Sequence, residues 1–262
     1  MTKLQWGVIA AALALFLTLY LGCDRKPKEI SSLDQSRALA TESTDVQALI
    51  SEARGALAPA QSAEVLALEE ELAAALDDST KLRLNKALSS AWYSLEEPSV
   101  AGYYAQAVAE LAGTAESWSI AGTTYTICIQ RSEEARKREF CTGRAVQAFE
   151  SAISLAPDDM ANRVNLALVY TANPPADNPM KGILMLRELN QEAPDNVLVL
   201  NALGRLAIRT GQFGRAVERL SQALNAEPQN PTTVCLLAQA YEGQGDEAQA
   251  AVFAERCRSL TD

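Results

Sequence analysis

Side chains able to do acid–base, nucleophilic or metal chemistry are sparse in this chain and poorly placed for it. Histidine is absent from all 262 residues, which excludes His-dependent triads and the usual His-bearing zinc sites. Glu69, Glu70 and Glu71 are consecutive carboxylates, but neighbours on a helix point in different directions. They read as a solvated face, not an acid/base pair. Gly211 and Gly214 are followed by no Lys-Ser/Thr, so no phosphate loop is spelled. The cysteines at 23, 128, 141, 235 and 257 include no C-x2-C pair and fit neither a zinc cluster nor a dense disulfide framework. Cys128 and Cys141 flank a charged run and read as small buried residues. The alternative is a disulfide across a hairpin, which requires export and Cα atoms within about 7 Å. Cys235 and Cys257 read as buried too. No catalytic residue, cofactor or metal is expected, and the chain is read as not an enzyme.

Composition points to what must position the remaining residues. The chain is 48% hydrophobic with a formal charge of −10. Phosphate neutralisation needs clustered Lys and Arg, so nucleic acid is not an expected partner. Abundant Ala, Leu and Glu predict an almost wholly helical, all-α protein. Residues 4–22 are a nearly unbroken apolar run from Leu4 to Gly22, about long enough to cross a hydrocarbon core of roughly 30 Å. Residues 1–23 are therefore read as a single-pass membrane anchor. Leu21-Gly22-Cys23 also ends the run as a bacterial lipobox does, which makes Cys23 a possible lipidation site, and a cleaved secretory signal is the third reading. For the rest of the chain the periplasmic side of a bacterial membrane is favoured. Arg25, Lys26 and Lys28 against Lys3, and the cysteines' unpaired look, point to the cytoplasm instead.

After a polar linker, 24–43, the apolar spacing turns helical. Val46, Leu49, Ile50, Ala53 and Leu57 make one stripe; Val65, Leu68, Leu72, Ala75 and Leu76 make another beyond the Ala58-Pro59 break. Residues 44–78 read as a helical hairpin. From Leu82 onward a longer pattern repeats. Residues 197–230 carry Leu200, Leu203, Gly204 and Ala207, then Gly211, then Ala216, Leu220 and Ala223, and close at Pro228. Small Gly204 and Ala223 allow close helix packing, Gly211 suits a left-handed helix end, and Asn230-Pro231 suits the next helix start. Trp118, Ala121, Gly122 and Tyr125 spell the same pattern with an aromatic at each end. Trp92, Trp118 and Tyr125 are read as core aromatics.

This pattern resembles the tetratricopeptide repeat (TPR), a helix–turn–helix unit that buries its apolar face only by stacking on neighbours. The resemblance implies an α-solenoid over 82–262 with about five repeats: 82–114, 115–159, 160–196, 197–230 and 231–262. The second carries an insertion of about three helical turns around the charged run Arg131 to Glu139, expected to lengthen its hairpin helices in register. The resemblance also implies a concave groove lined by the first helices, here Arg83, Lys86, Asn165, Asn201, Arg205, Ile208, Arg209 and Gln239. Asn201, Arg205 and Arg209, spaced i, i+4, i+8, form one stripe suited to an extended segment bearing a carboxylate.

The function expected is a non-enzymatic, membrane-anchored bacterial TPR scaffold that binds a protein or peptide in its groove. The alternatives are a subunit of an envelope biogenesis or assembly machinery, or a structural protein that self-assembles into a homo-oligomer through the 44–78 hairpin. Fractionation of the full chain is expected to place it in the membrane pellet, and a chain starting at Lys28 in the supernatant. Full-length protein in the supernatant would refute anchoring by 1–23.

Overall fold

Helix ends and helix crossings in the computed structural model, which describes residues 46–261, are set by a few small or capping residues. Two compact units divide between Gly55 and Ala56. In the first, residues 46–55 are helical (α1), with Val46, Leu49, Ile50 and Ala53 buried. The second begins with α2 (Pro59–Ala74). Five helix pairs follow: α3 (Asp78–Ser94) with α4 (Pro98–Ala112), α5 (Ala115–Arg131) with α6 (Ala135–Leu155), and α7 (Met160–Ala172) with α8 (Lys181–Glu192). The last two are α9 (Val197–Arg209) with α10 (Phe213–Ala226), and α11 (Pro231–Gln244) with α12 (Glu247–Thr261). Among the described residues there is no strand. No helix among them is long and apolar enough to cross a membrane. The apolar run at 4–22 and Cys23 lie outside the described residues.

Each pair packs within itself and on the next, and α9 touches both α7 and α11, so first helices form one layer of the solenoid. Caps fix where the pairs begin. Asp77 accepts from the Thr80 amide and the Ser79 hydroxyl, which starts α3 ahead of Leu82 and holds the Asp77 carboxyl far below the usual carboxylate range. Asn230 accepts from the Thr233 amide with Pro231 at the first helical position. Gly211 and Gly245 take positive φ at the ends of α9 and α11.

Close approach decides the crossings. A Cβ on Gly204 would sit 2.7 Å from Leu220, and one on Gly122 2.8 Å from the Phe149 ring. At Gly182 even a methyl group does not fit. It would collide with the Ala167 carbonyl oxygen and lie 2.7 Å from the Thr171 methyl carbon. Ser89 donates its hydroxyl to the Ala101 carbonyl (3.0 Å), which ties α3 closely to α4.

Two expectations are corrected. The four described cysteines are not merely buried: Cys128 pairs with Cys141 and Cys235 with Cys257, at Cα–Cα distances of 6.2 Å and 4.9 Å. Each bond joins the two helices of one pair. The inserted residues lengthen α5 and α6 around a turn at 132–134, which brings Cys128 and Cys141 face to face. Arg138 ties that turn to the Ser132 and Glu133 carbonyls at 3.1 Å and 2.6 Å. Cys235 and Cys257 are equidistant in sequence from Asp246 at the hairpin turn, so antiparallel helices place them together. Second, Glu69 is not simply solvated. It is half-buried and accepts the Tyr104 hydroxyl at 2.8 Å, joining α2 to α4, while Glu70 and Glu71 are exposed.

A bidentate pair, Arg163 to Glu192 at 2.7 Å and 2.5 Å, links the start of α7 to the end of α8. The Arg163 hydrogen bonds hold the Glu192 carboxyl below its ordinary value of 4.5. A carboxyl whose folded pKa is depressed adds stability above its unfolded pKa and loses it as pH falls through the folded one. The melting temperatures of wild type and Glu192→Gln are thus expected to differ at pH 7 and to converge as pH is lowered below 4.5. A constant gap across that range would mean the pair contributes nothing through ionisation.

The packing at Gly182 gives a signed test. Alanine normally gains about 1 kcal/mol over glycine inside a helix, but the collision with Ala167 is an overpacking that costs about 1–3 kcal/mol. Gly182→Ala is expected to lower the melting temperature. Gly143→Ala in α6, where a Cβ meets nothing within 4 Å, is expected to raise it. A rise in both would mean that α7 and α8 are not in van der Waals contact at Gly182.

Candidate functional site

The layer of first helices holds a mostly apolar cleft between α3 and α5, with a volume of about 350 Å³. Ala105 and Val108 of α4, both buried, form its floor. They are there because α4 packs against both α3 and α5. Ser89, Ser90 and Tyr93 come from α3; Ser117, Ile120 and Thr124 come from α5; Lys86 completes the rim. Tyr93 is 45% and Ile120 56% exposed. Two large apolar side chains left in water beside an apolar floor are the usual mark of a surface that something covers. Lys86 is exposed, a compact charge at the end of a flexible stem beside apolar lining. Arg83 is exposed on the preceding turn of the same helix.

The other residues expected in the groove are distributed along the layer. Arg205 and Arg209 share the exposed face of α9; Gln239 is exposed on α11; Asn165 on α7 and Ile208 on α9 are half-buried. Asn201 departs from the stripe it was read into. It is 6% exposed, and its side-chain oxygen accepts the Thr233 hydroxyl at 2.9 Å, tying α9 to α11. It serves the packing of the layer while Arg205 and Arg209 face out. Trp92 and Tyr125 are fully buried and Trp118 half-buried, as core aromatics.

Tyr93 and Ile120 were not singled out in the sequence, though a signal was available. Each neighbours a packing residue, Trp92 or Ala121, and so is a large apolar residue at a position the repeat's core does not use. A second cleft of about 320 Å³ is different in character. It is lined by Glu96, Glu97, Arg131, Glu133, Glu134 and Lys137 beside Cys128, with Lys137 paired to Glu134 at 3.1 Å. No group of three or more His, Cys, Asp or Glu that would hold a metal ion occurs among the described residues.

Residues 181–232 match the family model of the tetratricopeptide repeat, which spans α8, α9, α10 and the start of α11. No match to a curated protein was found. Solved structures to which the chain is similar include YrrB, described as a TPR protein with an unusual peptide-binding site, at 13% identity over 68% of this chain and 85% of that one, with a TM-score of 0.38. MamA 41-end from Desulfovibrio magneticus RS-1 is 16% identical over 69% and 94%, with a TM-score of 0.41. Likeness at this distance carries no function across.

Proposed function

We propose that this protein is a membrane-anchored scaffold that binds an extended segment of another protein on its layer of first helices, with an apolar side chain of that segment in the α3–α5 cleft. The observation that carries this is the exposure of Tyr93 and Ile120 over the buried floor of Ala105 and Val108. Covering them removes apolar area from water at about 25 cal/mol per Å². The charges beside the cleft and along α9, Lys86, Arg83, Arg205 and Arg209, favour a segment with acidic residues flanking its apolar one. They stand out on a chain whose formal charge is −10.

Two features support placing the repeats on the exported side of a membrane. The apolar run 4–22 is followed at once by Cys23, and four of the five cysteines form disulfides. Disulfides persist in oxidising compartments and are rare where thiols are kept reduced. This outweighs the Lys/Arg count flanking the run. Fastened on that side, the solenoid would hold its partner at the membrane surface.

The cleft is tested by crosslinking and affinity capture of partners from solubilised native membranes, comparing wild type with Ile120→Asp and with Lys86→Glu after each is shown to melt as wild type does. Both variants replace exposed residues, so folding is expected to survive. Captured proteins are expected to fall at least tenfold with Ile120→Asp, since a desolvated carboxylate opposes the apolar contact, and several-fold with Lys86→Glu. Equal recovery with all three proteins would refute the α3–α5 cleft as the binding surface.

A further inference from the structure

The two disulfides close helix hairpins of the same kind, but their surroundings differ. Cys128 and Cys141 are 2% and 0% exposed, inside a cluster with Tyr125, Phe149 and Val169. Cys235 and Cys257 are only half-buried. The helix that this second bond fastens, α12, contains no buried residue. By contrast α8 buries Gly182, Leu186 and Leu189, and α10 buries Ala216, Leu220 and Ala223. Besides the bond, the contacts of α12 include Phe253 stacked on Tyr241, with ring centroids 5.5 Å apart, and an exposed hydrogen bond from Arg256 to the Pro228 carbonyl. The other second helices bury residues; this one buries none and is joined to its partner by a bond between two half-buried cysteines.

We propose that Cys235–Cys257 is a redox latch on α12, opened by a dithiol reductant while Cys128–Cys141 stays closed. One thiolate of the reductant attacks a sulfur of the bond and forms a mixed disulfide; the other cysteine leaves as a thiolate and takes up a proton. The reductant's second thiolate then displaces the first cysteine, which is protonated in turn. The reductant ends as its own disulfide, and Cys235 and Cys257 as two thiols, two electrons and two protons having passed to the protein. Access governs which bond reacts, because the incoming thiolate must approach along the S–S axis, which a sealed core forbids.

Opening the latch has a structural consequence. A helix with no fully buried residue gains less from packing to offset the entropy of its ordering once the bond is open. Release of α12 takes Phe253 away from the cluster that includes Leu236, Leu237 and Ala240 of α11, so an apolar face of α11 appears. That face is present in the reduced state and covered in the oxidised one. This holds whether or not the α3–α5 cleft binds a partner.

The test uses the full chain in detergent under graded dithiothreitol. Residue-resolved alkylation mass spectrometry reads the thiols, and hydrogen exchange reads the helices. Cys235 and Cys257 are expected to become alkylated at least tenfold lower in reductant than Cys128 and Cys141. Protection over 247–261 is expected to be lost in step, to stay unchanged over 115–226, and to return on reoxidation. Cys235→Ser/Cys257→Ser is expected to show the same local loss without reductant. Reduction of both bonds at one concentration would overturn the proposal, as would reduction of Cys235–Cys257, or its removal by substitution, with 247–261 still protected.

Discussion

Everything in the solenoid depends on helices that approach until a methyl group no longer fits between them. At Gly182 the opposing surface is backbone, the Ala167 carbonyl, so nothing on that side can swing away. At Gly204 and Gly122 it is the side of Leu220 or Phe149, both almost wholly buried. Close-packed interiors transmit such constraints, because a shifted helix also moves the faces on which its neighbours stack. The α3–α5 cleft exists for the same reason in reverse. α4 brings Ala105 and Val108 up between two first helices, and those two side chains are too small to fill the gap.

Local chemistry was legible in the sequence because its partners lie within one turn of each other. Gly211 at a positive φ, Asn230 capping the Thr233 amide and Pro231 opening α11 all follow from neighbouring residues. Core placement of Trp92, Tyr125, Leu220 and Ala223 followed from the repeat pattern. What escaped were interactions whose second member is a repeat or a helix away. Asn201 looks like an exposed member of a polar stripe until Thr233, in the next first helix, takes its side-chain oxygen. Glu69 looks like one of three solvated carboxylates until Tyr104, two helices on, donates to it. Both cysteine pairs are separated by a full hairpin, and their meeting depends on where the turn falls. For Cys235 and Cys257 the equal distances from Asp246 were visible; for Cys128 and Cys141 the lengths of α5 and α6 had to be known first.

The disulfides and the insertion belong together physically. The lengthened ends of α5 and α6 are packed, since Cys128, Ile129 and Cys141 belong to the buried cluster around Tyr125 and Phe149. Crosslinking Cys128 to Cys141 near that extension limits the unfolded chain, an effect worth about 3 kcal/mol for a loop of this size. Arg138 supplies two hydrogen bonds at the tip for the carbonyls that the turn leaves open. In the pair α11–α12 the second helix buries no residue, and the Cys235–Cys257 bond ties it to the first.

Function in a repeat protein sits where the repeat's own logic leaves a residue unexplained. A packing position must be small or apolar because a neighbouring helix is there, and its identity says nothing about a ligand. Tyr93 and Ile120 are apolar where none of the described helices covers them, and Lys86 is charged beside the same apolar cleft. Arg205 and Arg209 stand outward on a helix whose other face is fully used. Asn201 shows why exposure must be checked before such a residue is assigned to a ligand, since a polar residue on the groove side may serve the stack instead. Tyr93, Ile120, Lys86, Arg205 and Arg209 pass that check, and all five lie on first helices. That is the physical basis for reading the α3–α5 cleft, and not the charged hairpin tip, as the surface that meets a partner.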